Sequence, residues 1–494
     1  MIFVIFGGTG DLSYRKLLPA LYRMAGRDRL EEGFRLIAIS NDPHDTASYR
    51  QSVREALEGV PGQAPGPSAL EDFLGAMDYL QMELDRPEGY RRLKDQVASC
   101  PRGDRIFYYF AVSPELFPVI AGHLDEVELC DHQKRKLGLL IEKPFGRDLK
   151  SAMELNRKLN VRFPEETIFR IDHYLGKPMA RNILTLRFAN DILEPLWNNR
   201  HIGSIQITVS ESAGVGHRGR FYDRFGALRD MVQSHLLQLM AITMMEPPDS
   251  LGSDDVRNRK VQVFERLSLP AERSIWDNVV LGQYGKNPAF PDIPGYREEP
   301  DVAGDSQTET YAALRLFVHN DRWEGVPVYL RTGKRLDRKY AQIVVTFRDT
   351  VRHRLFGDHP GIHPNVLVIS IQPDEAVSFR MNMENFGRGE VYSATKMSSC
   401  TECLPDLNTP EAYETLLEEA FRGERSSFTR WDEVEHAWRF VDQITRQCAD
   451  ERRDHLRLYP AWTQGPPEAD ALIQRYGQRW IGLDDETLEA GGNP

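Results

Sequence analysis

The chain has 494 residues, 41% hydrophobic and 28% charged, a globular composition too long for one core, so two or three domains are expected. The formal net charge of −12 disfavours nucleic acid as a partner, because binding its backbone needs a basic surface; a local cluster of cations can still receive an anionic small molecule. Five sparse cysteines (Cys100, Cys130, Cys400, Cys403, Cys448) speak against a disulfide framework, and no apolar run approaches about 18 residues, so a cytoplasmic protein with no membrane partner is expected.

Met1 leads straight into Ile2–Phe6, so no secretory leader is expected. That short apolar run suits a buried parallel strand. Gly7-Gly8-Thr9-Gly10-Asp11-Leu12 follows it, and a helical pattern continues from Leu17. Glycines there let the chain turn tightly and bring a pyrophosphate against backbone N–H groups at a helix N-terminus. The match to G-x-G-x-x-G is imperfect: Gly7 and Gly10 are three apart, and Ser13 takes the third small position. An ordinary strand–helix loop is the alternative. Arg35–Ser40 is a second strand, and its tip reads Asn41-Asp42. An acid at that tip reads the ribose 2′-hydroxyl of NAD, and an Arg there reads the 2′-phosphate of NADP. The run Pro61-Gly62-Gln63-Ala64-Pro65-Gly66-Pro67 marks a surface loop. Residues 105–111 and 137–141 are further strands. Strands alternating with helices predict a Rossmann-like, doubly wound α/β domain over residues 1–175.

A strand over 168–171 leads into Asp172, with a turn at Gly176. A phosphate monoester needs cations and hydroxyl donors close together, and His173, Tyr174 and Lys177 supply them within one turn. A solvated loop with incidental charges is the alternative. Beyond it, strands are expected over 204–211, 312–318, 342–348, 366–372 and 376–383. A helical block lies between 225 and 270, with other helices near the C-terminus. This pattern predicts a larger α+β domain over 176–494 with a mainly antiparallel sheet. Leu228, Met231, Val232, Leu236 and Leu239 recur at helical spacing, and His235 shares their inward face. A satisfied core histidine is the simpler reading. A base for a hydroxyl proton needs the same burial plus an orienting carboxylate, for which Asp172 is the candidate. Cys400 and Cys403 form a lone pair with no second pair, so no metal is expected. Residues 484–494 are polar and expected to fray.

Several segments carry a resemblance spanning nearly the whole chain. They are Phe6 to Leu12 with Arg15-Lys16-Leu17, Ile141-Glu142-Lys143-Pro144-Phe145-Gly146, and Arg170-Ile171-Asp172-His173-Tyr174-Leu175-Gly176-Lys177. The stretches from Arg218 to His235, Trp276 to Gly285, Pro294 to Glu299 and Val326 to Leu336, with Arg331-Thr332-Gly333-Lys334-Arg335, join them. Together they resemble the glucose-6-phosphate dehydrogenase family. The resemblance implies oxidation of D-glucose 6-phosphate at C1 to 6-phospho-D-glucono-1,5-lactone, with hydride passing to NAD or NADP, as the first step of the pentose phosphate pathway. It implies His235 as general base and Asp172 as its partner. His173, Tyr174 and Lys177 fall on phosphate-ligand positions; Glu211, Asp230, Lys334 and Lys339 fall on sugar-contacting positions. Gly7, Gly8, Thr9, Gly10, Asp11, Leu12, Asn41, Asp42 and Lys143 fall on the cofactor side, and Lys16 bridges cofactor and substrate. A homodimer or homotetramer built through the C-terminal sheet is implied too.

Three positions depart from the family pattern. Ser234 stands where Asn usually precedes the histidine, and Val112-Ser113-Pro114 stands where two prolines are usual. Asn41, followed by Asp42, stands where an Arg is usual. Losing a charge-assisted contact costs about 1.5–3 kcal/mol, so NAD is expected to be used well and NADP not to be the sole cofactor. Thr9 and Arg15 lie near enough to support some NADP binding. A dehydrogenase of another sugar or sugar phosphate, or a non-catalytic regulatory paralogue, are the other readings. Retention of His173, Tyr174 and Lys177 argues for a phosphate without fixing the stereochemistry of the sugar, and retention of His235, Asp172 and Lys177 weighs against the paralogue.

Overall fold

The computed structural model describes residues 1–58, 67–100, 105–132, 135–349, 351–357, 359, 362–384, 392–400 and 412–483. The expected loop, apart from Pro67, lies outside the described residues, as do Cys403 and residues 484–494. Two compact units are present. The first comprises Met1–Pro178, Ser250–Arg257 and Thr409–Glu435; the second comprises Met179–Asp249, Asn258–Asn408 and His436–Pro494.

The first unit is built on strands β1 (Ile2–Phe6), β2 (Arg35–Ser40), β3 (Met77–Gln81), β4 (Arg105–Phe110), β5 (Lys136–Ile141) and β6 (Ile168–Ile171). They lie in the order β3-β2-β1-β4-β5-β6, all parallel, with Phe3 facing Leu36 on one side and Phe107 on the other. This is the doubly wound Rossmann order, whose ligand crevice lies at the carboxyl ends where the order reverses beside β1. Helices cover both faces of such a sheet, which is why every residue of β1 is apolar and buried. A late strand, Phe428–Thr429, adds antiparallel to β6. Local signals set some helix starts. Asp148 caps the helix Leu149–Asn160 by accepting from Ser151 N–H at 2.7 Å, and Ser151 returns the bond in a capping box.

The second unit holds a larger sheet. Its main strands are β7 (Ile202–Ser210), β8 (Val279–Gly285), β9 (Tyr311–Val318), β10 (Val328–Gly333), β11 (Tyr340–Phe347), β12 (Val366–Gln372), β13 (Ala376–Glu384), β14 (Tyr392–Cys400) and β15 (Leu456–Pro460). Their order is β14-β13-β12-β11-β7-β10-β9-β8-β15, and a short strand, Leu267–Ser268, pairs with β9. Pairing is antiparallel except between β7 and β10 and between β8 and β15.

The helical block begins with Gly219–Ala227, continues as a wide, π-wound stretch over Leu228–Leu236 and ends as Leu237–Met244. The first two pieces part at Gly226, whose φ is +71°. An added Cβ there would come within 2.5 Å of Glu309 Oε1. The same Glu309 oxygen accepts from Leu228 N–H at 3.1 Å, so one carboxylate caps the new start. The wide stretch packs against β7, β9 and β10.

Candidate active site

In the first unit the glycine turn is held by its own backbone. The N–H groups of Gly7 and Gly8 donate to Ile39 O at 2.8 and 2.9 Å, joining the turn to β2. Gly7 has φ +91°, and an added Cβ would meet Ala111 O at 2.4 Å; at Gly8 it would meet Ala38 Cβ at 2.7 Å. That cradle fits a nicotinamide dinucleotide, since bare backbone is what a pyrophosphate approaches. Ser13 does more than stay small: its buried hydroxyl donates to Gly7 O at 2.8 Å.

The β2 tip faces this turn. Thr9 donates its hydroxyl towards Ser40 Oγ at 2.7 Å and towards the Asp42 carboxylate. Ser40 Oγ lies 3.2 Å from the same Asp42 oxygen, and Tyr79 OH donates to Asp42 O at 2.7 Å. Asn41 is exposed. Arg15 pairs with Asp11 at 3.4 Å, both well exposed, and Lys16 is half-buried one residue on.

At the far side of the crevice, Glu142-Lys143 follow directly on β5 and Asp172 follows directly on β6. Asp172 is 2% exposed and its Oδ1 accepts from Tyr174 N–H at 2.9 Å, which starts the turn. Leu175 N–H donates to Asp172 O and Lys177 N–H to Tyr174 O, closing it. The His173 and Tyr174 rings lie 4.8 Å apart, and Lys177 Nζ sits 5.8 Å over the Tyr174 ring. Gly176 has no room for a side chain: an added Cβ would meet Leu416 Cγ at 2.7 Å. The buried Arg170 is pinned by Glu165 at 2.6 Å and Asn156 at 2.6 Å.

In the second unit Glu211, Lys334 and Lys339 converge on one end of the sheet, because β7 and β10 finish where β11 begins. Lys334, 7% exposed, pairs with Glu211 at 2.5 Å and lies 5.0 Å over the Tyr222 ring. Tyr459 OH donates to Lys334 O at 2.6 Å and fixes its backbone. Lys339 is exposed. Asp230 and His235 both lie on the π-wound stretch; His235 is 0% exposed and Asp230 7%. Ser234 Oγ donates back to Asp230 O at 3.1 Å. The 3.6-residue stripe does not explain the burial of His235, since Asp230 and Gln233, outside that stripe, are buried too. Tyr222 escaped the sequence reading. Its hydroxyl is buried without a hydrogen-bond partner among the described residues. Burial, then the carboxylates of Asp230 and Glu211, push its ionisation far above the usual range, so it stays a donor. Glu142 was seen only as part of a resemblance. In the structure it accepts hydroxyl bonds from Tyr109 at 2.5 Å and Tyr413 at 3.0 Å, and no local signal announces the second.

Comparison with known proteins matches the chain to two family models. "Glucose-6-phosphate dehydrogenase, NAD binding domain" covers residues 4–182, and "Glucose-6-phosphate dehydrogenase, C-terminal domain" covers residues 184–481. Curated glucose-6-phosphate 1-dehydrogenases from Mycolicibacterium smegmatis and Bacillus subtilis are 41% and 39% identical. Each alignment covers 97% of this chain, and 97% and 98% of the respective relative. Among solved structures, a glucose-6-phosphate dehydrogenase in complex with its substrate glucose-6-phosphate superposes with a TM-score of 0.89 at 31% identity, covering 97% of this chain and 98% of that one. The Mycobacterium avium glucose-6-phosphate 1-dehydrogenase gives 0.83 at 32% identity, with the same coverage of both chains. The fold and the two matched models define an oxidoreductase that takes a nicotinamide dinucleotide. Within that class, the chain belongs to the glucose-6-phosphate dehydrogenase family.

Proposed function

We propose that this protein oxidises D-glucose 6-phosphate at C1 to 6-phospho-D-glucono-1,5-lactone, the first step of the pentose phosphate pathway. The observation that carries this reading is the Arg170–Lys177 octapeptide at the carboxyl end of β6, in a chain aligned with named relatives over 97% of its length. Residues 1–175 serve as the dinucleotide-binding domain, to whose compact unit the later segments Ser250–Arg257 and Thr409–Glu435 also belong, and the remainder of 176–494 binds the sugar and mediates assembly. A bound nicotinamide dinucleotide supplies the hydride acceptor. His235 takes the proton from the C1 hydroxyl as the C1–H bond breaks and C1–O becomes the lactone carbonyl. Asp172 orients the imidazole and balances the imidazolium that forms. His173, Tyr174 and Lys177 hold the phosphate by charge and hydrogen bonds. Glu211, Asp230, Lys334 and Lys339 contact the sugar, with the Lys334–Glu211 pair presenting donor and acceptor side by side. The Gly7–Leu12 turn, Lys16 and Lys143 face the dinucleotide.

NAD is used well, so NADP is not the sole cofactor. In this reading Asp42, steadied by Thr9 and Ser40, accepts from the adenosine 2′-hydroxyl and repels a 2′-phosphate. Asn41, where the family usually has an Arg, offers the phosphate no cation. The chain forms a homodimer or homotetramer through the second unit's sheet, whose strands β13 and β14 carry the exposed Met383 and Met397. It works in the cytoplasm, where Cys100, Cys130 and Cys448 stay reduced thiols. No helix among the described residues is long and apolar enough to cross a membrane.

Appearance of reduced nicotinamide on adding glucose 6-phosphate tests the reaction; no reduction with either dinucleotide sinks it. Faster turnover of free glucose or an amino-sugar phosphate at fixed cofactor would transfer the activity to another sugar. His235→Ala should keep substrate binding and lose ~10²–10⁴ in turnover. A hundredfold or greater preference for NADP in kcat/KM would overturn the cofactor assignment.

A further inference from the structure

The chain breaks its helical path at Gly226, so the stretch Leu228–Leu236 begins afresh, and its first N–H groups lack the usual acceptor one turn back. One residue from far along the chain takes two of them. Glu309 accepts from Ala227 N–H through its carbonyl at 2.9 Å and from Leu228 N–H through its carboxylate at 3.1 Å. Glu309 is 2% exposed, and its other carboxylate oxygen pairs with Arg452 at 3.2 Å. Its neighbour Thr308 donates a hydroxyl to Asp223 O at 2.7 Å, on the helix that precedes the break.

The residue on the other side, Thr310, reaches the sugar-contacting lysine. Lys334 N–H donates to Thr310 O at 2.9 Å, and Tyr459 OH lies 3.0 Å from Thr310 Oγ1 while donating to Lys334 O at 2.6 Å. Thr308-Glu309-Thr310 thus bracket the stretch bearing His235 against the backbone of Lys334. The stretch needs such a bracket. A run of π winding over nine residues is uncommon, so it depends on contacts outside itself. His235 lies on that same run, so a shift in the direction of its start is carried along the helix to the imidazole.

We propose that Glu309, held by Arg452, is a positioning residue for the base: it fixes where the π-wound stretch starts, and through it where His235 stands. The inference rests on the reading of His235 as general base. Glu309, Arg452 and the stretch all belong to the second unit, whereas Gly7–Leu12, Lys16 and Lys143, which face the dinucleotide, all belong to the first. Loosening the cap therefore disturbs the proton step and leaves dinucleotide binding alone.

Turnover of Glu309→Ala, with and without His235→Ala, tests this, with Tm and the NAD dissociation constant measured alongside. In the parent background Glu309→Ala should lower kcat, read at saturating sugar, roughly ten- to hundred-fold, the cost of a catalytic group displaced by up to about 1 Å. The NAD dissociation constant should not move. In the His235→Ala background the same change should add almost nothing, because the group it positions is already gone. Glu309→Gln keeps an acceptor for Leu228 N–H and should recover most of the turnover. Glu309→Asp keeps the charge for Arg452 but draws its oxygens back by one methylene from Leu228 N–H. It must show the same background-dependent loss, which keeps the test open should Glu309→Ala not fold. An equal loss in both backgrounds, an unchanged kcat in the alanine and aspartate variants, or weakened NAD binding overturns the inference while the base reading stands. Should His235→Ala turn over like the parent, the base reading and this inference fall together.

Discussion

The turns after β1 and after β6 leave the same edge of one parallel sheet, and they are held in opposite ways. After β1 the backbone does the holding: Gly7 and Gly8 bond to Ile39 O, Ser13 bonds back to Gly7 O, and neighbouring atoms occupy the space of the missing Cβ atoms. After β6 side chains add to the backbone bonds that close the turn: Asp172 catches Tyr174 N–H, Arg170 is pinned from two sides, and the His173 ring and Lys177 lie close to the Tyr174 ring. A backbone site tolerates any sequence of small residues that keeps the path. A side-chain site does not. That is why the imperfect glycine turn identifies little by itself, while the octapeptide after β6 is specific.

The contrast can be broken by substitution. Gly7→Ala combines positive φ with a clash on Ala111 O, and should cost about 3 kcal/mol of stability, read as a fall in Tm, and weaken both dinucleotides alike. Lys177→Ala should leave Tm in place and raise the KM for glucose 6-phosphate ten- to 150-fold. If Lys177→Ala lowered Tm as Gly7→Ala does, the two turns would be the same kind of object. Asp42→Ala probes the boundary between them, since this side chain sits on the backbone-built side. The ratio of kcat/KM for NAD over NADP should fall about ten-fold, and a constant ratio would remove Asp42 from cofactor choice. Ser13→Ala should lose about 1 kcal/mol by denaturant titration, the value of one hydrogen bond, with kinetics unmoved.

How much of this was legible depended on distance along the chain. The strands β1 and β2 are apolar runs, and their ends fall where the sequence puts them. The short edge strand β3, Met-Asp-Tyr-Leu-Gln, was not foreseen. It alternates with a charged residue, and Asp78 finds its partner Arg35 only across the sheet, at 2.5 Å. Strands β8, β10, β14 and β15 were missed as well, because their pairing gives them away more than their composition does. His235 lies inside, as its spacing predicts, although the stretch that carries it is not an ordinary helix. The π-wound stretch is capped by Glu309, a residue some eighty positions on, and nothing near His235 foretells it. The Tyr413–Glu142 bond spans 271 positions. Local propensity is silent on such a bond, and only the tertiary fold brings its partners together.

The late strand Phe428–Thr429 has a consequence for how the protein is made. Translation runs at about 5–20 residues per second, so roughly ten to fifty seconds separate completion of Met1–Pro178 from emergence of Thr409–Glu435. During that interval the outer side of β6 has no strand beside it, and the helix carrying Tyr413 and Glu414 has not yet been synthesised. A nascent chain in that state presents a bare sheet edge, the kind of surface that invites wrong partners on crowded polysomes.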